Sequence, residues 1–357
     1  KQYTEMGLLA NETSPDGSIV HYEYDGARRL IGYEATAGSG RTAVPPHRFT
    51  YDGVNRVTKA EFSGAAAERH YDSLDRIVTE QCNGKTFAAE YDDMAMEMLL
   101  QYPDGRKERH EWDELGRSYR VTLIQQGQLP VAAGFVPALL HELSFNGMIK
   151  VAGETFGNRT GAKWMHDQES RLMQVDHLDP DGNMLESVRY RHDLYNRRKV
   201  SQYVCAPETN HFYNYDARGR LHEWRSQFTL SPMPKALGQS DQDSAIAGAE
   251  TAAAAAKSVH SWSLSGADSR TAESVSEYGS TQVRSYHEGP GHRLLSINAR
   301  HYAYDANGAR ISDPDRDIQY DALGRIVAIT NKSDPSKSVS FGYDPFGRLA
   351  NEQIGPS

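Results

Sequence analysis

The 357 residues contain two cysteines, Cys82 and Cys205, and no Cys-x-x-Cys pair. That leaves neither a disulfide framework nor a cysteine zinc site to read. Basic charge is short: 39 Lys and Arg against 48 Asp and Glu give a net charge of -9 and a pI near 5.9. A basic face for nucleic acid or anionic membrane is therefore not expected. Long apolar runs are missing too. The longest, Leu129 to Leu140, is broken by Pro130 and Pro137 and falls well short of the ~20 residues that span a bilayer. The chain opens on Lys1 without a basic and then apolar leader, so no signal peptide is visible and an internal piece of a longer protein is expected.

Catalytic signatures are also absent. The 14 His form no His-x-x-x-His pair, and the chain has no Gly-x-Ser-x-Gly elbow and no Gly-rich phosphate loop ending in Lys-Ser/Thr. Asp313, Asp315 and Asp317 alternate as in a calcium loop, but Ile318 stands where the sixth-position Gly belongs and Gly324 where the twelfth-position Glu belongs. A solvated turn is the better reading. No catalytic, cofactor-binding or metal residue is assigned, and no cofactor is expected.

What is plentiful is aromatic: 20 Tyr, 10 Phe and 4 Trp, which suits a thin core edged with hydroxyl groups, as in sheets. Many of these rings fall in one repeated pattern. Tyr-Asp, three variable residues and Arg recur at Tyr24-Asp25/Arg29, Tyr51-Asp52/Arg56, Tyr71-Asp72/Arg76, Tyr215-Asp216/Arg220, Tyr320-Asp321/Arg325 and Tyr343-Asp344/Arg348. Trp112-Asp113/Arg117, His166-Asp167/Arg171 and His192-Asp193/Arg197 are looser copies, and packing is the better account of both imidazoles. Tyr304-Asp305 carries Arg310 one place late, and Tyr91-Asp92 has no Arg.

Rings two apart before each Asp, as at Tyr22/Tyr24, Phe49/Tyr51 and Phe341/Tyr343, mark one face of an extended strand. Asp starts a turn, and in the fullest copies Gly219, Gly324 or Gly347 supplies positive φ just before Arg. Each copy thus predicts a β-hairpin. Pro15-Asp16-Gly17, Pro103-Asp104-Gly105 and Pro180-Asp181-Gly182 predict turns closing the hairpins at the other end. Asp and Arg of one copy are placed to pair across the turn, which is expected to be exposed, where such a contact is worth only ~0–1 kcal/mol. A hairpin of this length cannot bury its own face, so the units must stack into one sheet, and strand twist coils a long row of them into a curved wall.

Two stretches interrupt the period. Residues 125–140 read as an irregular core loop. Residues 229–260, rich in Ser, Gln and Ala with Ala252 to Ala256, read as a short helix or a flexible insertion, with a surface excursion preferred to a domain. The expected organisation is a repeat sheet over 1–228, that insertion, and the sheet continuing over 261–357.

Tyr-Asp-x-x-Gly-Arg-Leu, with its Pro-Asp-Gly turns, resembles the YD or rearrangement-hotspot (RHS) repeat over about residues 1 to 228 and 280 to 357. Such repeats occur in bacterial polymorphic toxins, in the B and C components of insecticidal Tc toxin complexes and, more distantly, in teneurins. The resemblance implies an all-β fold of stacked antiparallel hairpins in a large curved spiral sheet, part of a hollow cocoon. It implies a non-catalytic shell segment that encloses a toxic C-terminal effector, made in the bacterial cytoplasm and secreted or injected. Its implied partners are the rest of the shell, the toxin domain, and a secretion-apparatus or chaperone protein, with no nucleic acid and no membrane insertion by this segment. In the family an aspartate-dependent self-cleavage frees the cargo. Asp344-Pro345-Phe346-Gly347 faintly resembles that element but sits inside an ordinary repeat copy, and an ordinary turn is the reading adopted. Two rivals stand beside the shell: a surface adhesion or carbohydrate-binding module stacking sugars on exposed rings, and an enzyme whose inner-wall Asp residues cut the chain.

Overall fold

The computed structural model describes residues 1–125, 138–231, 233, 239–266 and 268–355. The fold is all-β. Among the described residues twenty-five strands belong to one hydrogen-bonded sheet and seven to a second, and nearly every pairing joins a strand to the next one in sequence, antiparallel. The chain divides into two compact units.

One unit comprises Lys1–Glu90, Leu100–Gly105 and Gly289–Ser357. Its amino-terminal part is a meander through Leu9–Thr13, Ile19–Tyr24, Leu30–Thr36, Val44–Tyr51, Val57–Phe62, Ala65–Tyr71 and Ile77–Cys82. Its carboxy-terminal part supplies six strands of the seven-stranded sheet, including Arg316–Asp321, Ile326–Asn331, Val339–Tyr343 and Leu349–Ile354. A short parallel bridge of Arg41–Thr42 to Tyr320 and Asp321 joins the two parts. Their shared core is small: Val20, Ala35, Val44 and Ala322 are buried, with Tyr22, Tyr33, Phe62 and Leu323 packed around them.

The other unit comprises Tyr91–Leu99 and Arg106–Glu288, a meander from Lys107–Trp112 to Ser280–Gly289. The interruption expected at 125–140 falls between Ser118–Gln125 and Ala138–Asn146, which pair directly; residues 126–137 lie outside the described residues. Within 229–260, an α-helix runs over Gln239–Ala253, while residues 232 and 234–238 lie outside the described residues. Alanine has the highest helix propensity, and here it also lets the helix approach closely. Ala249 and Ala253 are buried against Val200, Phe212, Phe228 and Met233. The segment is not purely a surface excursion, because one of its faces is core. The repeat sheet resumes inside it, at Ser258–Leu264.

Candidate functional site: a turn that grips the next turn

In the Tyr51 copy, the Asp52 N–H donates to the Arg56 carbonyl (3.0 Å) and the Asn55 N–H returns to the Asp52 carbonyl (3.3 Å). The strand register slips by one between Thr50 and Tyr51. This is a hairpin closed by a bulge, a geometry that needs one residue in the left-handed region. Gly219, Gly324 and Gly347 take that place at φ of 79°, 82° and 79°. Other copies force Arg28 (65°), Asn55 (72°) and Asp75 (64°) into the same conformation.

The aspartate organises the turn. Asp52 Oδ1 accepts from the N–H groups of Val54 and Arg56, both at 3.0 Å, and Oδ2 lies 2.7 Å from Arg56 Nε. The same pair forms at Asp25/Arg29, Asp72/Arg76, Asp216/Arg220, Asp321/Arg325 and Asp344/Arg348, each at 2.7 Å. The looser copies Asp113/Arg117, Asp167/Arg171 and Asp193/Arg197 close in this way too. The Arg56 backbone N–H and guanidinium, against a cost of burial, hold the Asp52 carboxyl below its usual range.

Arg76 corrects the expectation that these pairs are exposed. The Arg76 side chain is only 29% exposed and that of Asp72 22%. The reason is geometric: Arg76 Nε turns back onto Asp72 Oδ2 and the Arg76 N–H donates to Asp72 Oδ1, so the side chain lies along its own turn and does not extend into water. The turn that follows it in sequence, at Tyr91-Asp92, has no arginine, and there Asp92 Oδ1 accepts from the N–H groups of Met94 and Ala95.

Sequence reasoning missed that the arginine also reaches forward. Arg56 Nη1 donates to the Asp72 carbonyl and to Asp75 Oδ1, both at 2.9 Å, and its guanidinium lies 4.9 Å from the Tyr71 ring centre. Tyr71 answers with a 2.7 Å bond from its hydroxyl to the Val57 carbonyl. The exchange recurs from Arg29 to Tyr51, from Arg197 to Tyr215 and from Arg325 to Tyr343, with each tyrosine hydroxyl bonding back at 2.7 Å. Where no Tyr-Asp copy follows, the arginine still reaches forward: Arg117 donates to the carbonyls of Gly147 and Met148 and lies 4.1 Å from the Phe145 ring centre, and Arg220 donates to the Ser265 carbonyl and to Asp268 Oδ1.

Two exceptions join the parts of the first unit. Asp305 has Ala309 where the repeat arginine belongs, and Arg41 supplies the cation from elsewhere. Arg41 contacts Asp305 at 2.5 Å and Asp16 at 2.6 Å, donates to the Asp321 carbonyl, and lies 5.4 Å from the Tyr320 ring centre. All three charged side chains are nearly buried. Burial would raise the Asp16 carboxyl, but the N–H and hydroxyl of Ser18 and the charge of Arg41 hold it below its usual range. Asp16 belongs to the first Pro-Asp-Gly turn, so that turn does more than reverse the chain. At the second joint Arg348 has no following copy among the described residues and bonds Glu80 at 2.6 Å. Arg69 meets the same carboxylate at 2.7 Å and stacks 3.6 Å from the Phe346 ring centre.

The residues weighed for chemistry are dispersed among separate partners. Asp313 caps its own turn and pairs with Arg316, Asp315 pairs with Arg300, and Asp317 bonds Ser312 and Lys332. Asp344 is buried and fully used as a turn acceptor for Phe346 and Arg348. Among the described residues no group of three or more His, Cys, Asp or Glu is placed to hold a metal ion. None of the described helices is long and apolar enough to cross a membrane. In the second unit, rings form a row across successive strands: Tyr203 to His211 and His211 to Trp224 at 5.1 Å each, then Trp224 to His260 at 4.7 Å. All four rings are half-buried.

The sheet that carries these turns has an RHS-type fold, as the likeness to solved Tc toxin structures shows. The TcdB2–TccC3–Cdc42 crystal structure is similar at a TM-score of 0.71 over 96% of this chain, with 12% identity. TcdB2–TccC3 without its hypervariable C-terminal region gives 0.73 over 97% at 12% identity. The Photorhabdus luminescens Tc holotoxin pore, carrying a TccC3 substitution, gives 0.72 over 97% at 13%. This chain spans 18–19% of the length of those chains. No protein-family model and no curated protein matches the sequence.

Proposed function

We propose that this chain is a non-catalytic wall segment of an RHS-type shell, which encloses a toxic C-terminal effector domain and supports its delivery to target cells. The observation that carries this reading is the likeness to TcdB2–TccC3 over nearly the whole chain, together with a turn chemistry spent on joining copies. Confinement would be the mechanism: a sheet wrapped on itself hides its strand edges from other chains. The remaining shell and the effector are the partners, and a secretion-apparatus or chaperone protein would receive the loaded shell after synthesis in the bacterial cytoplasm.

Cryo-electron microscopy of the full-length protein is the test. A hollow β body with density inside is expected; a solid sandwich, or an open sheet presenting an aromatic groove, would overturn the reading, and glycan binding by the latter would point to the adhesion module. Processing of full-length Asp344→Asn should match the parent, since Asp344 is committed to its turn. Loss of cleavage in that variant would assign the residue a chemical role.

A further inference from the structure

His47 is the least expected side chain in the core of the first unit. It sits on Val44–Tyr51 with no exposure to solvent, stacked between Tyr33 (4.3 Å between ring centres) and Phe62 (4.0 Å). Its Nδ1 lies 3.3 Å from the Pro45 carbonyl, so the neutral ring donates there. Its Nε2 is buried and has no hydrogen-bond partner. That arrangement suits the neutral imidazole, whose bare nitrogen can face an apolar wall, and does not suit the cation, which would carry a second N–H with no acceptor.

The position matters because this stack is where the two parts of the unit meet. Phe62 and Tyr33 pack on the cluster shared by Val20, Ala35 and Val44 with Ala322 of the seven-stranded sheet. Arg325 from that sheet lies 5.7 Å from the Phe62 ring centre and 4.5 Å from that of Tyr343, and is paired with Asp321. Tyr22 completes the row beside Tyr33. The charged groups acting on His47 are therefore Arg325, which opposes its protonation, and Asp321, which favours it but is engaged by that same arginine.

We infer that this contact is an acid-released latch: protonating His47 separates the meander around residues 44–62 from the strands around 316–343. Burial first, and then the Arg325 charge, lower the His47 pKa from 6.5 to about 4. The sign follows from linkage: the neutral ring's stabilisation is whole above pH 6.5 and is lost progressively as pH falls towards 4. With an opened state titrating normally, the opening constant rises about tenfold by pH 5.5 and at most about 300-fold below pH 4. If the shell reading holds, the wall loosens in acidic surroundings; the latch rests on that reading only for its purpose.

The test is hydrogen exchange of the full-length protein from pH 7.5 to 4.5, corrected for the intrinsic pH dependence of exchange. Peptides covering 44–62 and 318–343 should lose protection together with falling pH, ahead of the strands in residues 150–200. His47→Phe keeps a flat ring that cannot be charged, and His47→Gln is the polar alternative should that variant not fold; either should abolish the acid step. Unchanged protection in the parent, or an acid step of the same midpoint in whichever variants fold, would overturn the latch. Neither result bears on whether the full-length body is hollow, which imaging decides separately.

Discussion

The guanidinium of Arg56 lies over the ring of Tyr71, and the Tyr71 hydroxyl returns a hydrogen bond to Val57, the residue immediately after that arginine. Each partner thus completes a turn that is not its own. Tyr71→Phe keeps the ring and deletes the return bond, so a loss of about 0.5–1.5 kcal/mol in urea denaturation is expected. Tyr71→Leu, which also removes the cationic contact, should lose more. Equal stabilities for the parent and both variants would show that the exchange contributes nothing.

Arg41 is a double liability in the first unit, because removing it leaves Asp16 and Asp305 buried without their cation. Arg41→Ala is expected to cost about 3–5 kcal/mol by thermal or chemical denaturation. Adding Asp305→Asn to that variant should restore part of the loss, a coupling of about 0.5–3 kcal/mol.

The turn conformation makes opposite predictions at two equivalent positions. Gly219→Ala places a side chain at φ 79° and should cost about 1–2 kcal/mol. Arg28 already bears that strain at 65°, so Arg28→Gly should stabilise by a few tenths to about 1 kcal/mol. Calorimetric midpoints moving in opposite directions would bear this out.

Glu80 supplies an acid dependence of its own. Burial would push its carboxyl up, but hydrogen bonds from Arg348 and Arg69 outweigh that and hold it below its usual range. A carboxyl depressed in the folded state contributes stability above its unfolded pKa and loses it as pH falls through the folded one. Glu80→Gln should therefore be less stable than the parent at pH 7, with a shallower decline in urea midpoint between pH 6 and pH 3.

Much of the fold could be read from the chain because the turn is local: Asp, the left-handed residue and Arg lie within five positions, and their contacts repeat wherever the pattern does. How far the pair at Asp72 and Arg76 withdraws from water was not legible, since exposure depends on how the side chain lies and not on its spacing. The forward grip was hidden for a related reason. Arg29 and Tyr51 are separated by one loop length and Arg56 and Tyr71 by another, so no fixed spacing marks the pair. Arg41 was less visible still, since nothing local ties it to Asp305. The helix at Gln239–Ala253 puts two fully buried alanines, Ala249 and Ala253, into the apolar core with Ile246 beside them, and alanine carries a weak burial signal. His47 stood outside every motif, and its importance comes from Tyr33, Phe62 and Arg325 converging from three other strands and turns.

The joints have a direction. Where Tyr-Asp copies adjoin, as at Arg29/Tyr51 and Arg56/Tyr71, the first offers an arginine towards the carboxy terminus and the second a tyrosine towards the amino terminus, so a copy such as that of Tyr51 carries one half of both its couplings. A duplicated stretch of gene encoding one such unit would arrive with matching ends, and a deleted one would leave matching ends behind. Length can then drift through recombination without compensating substitutions, which makes the size of such a wall an easily inherited variable.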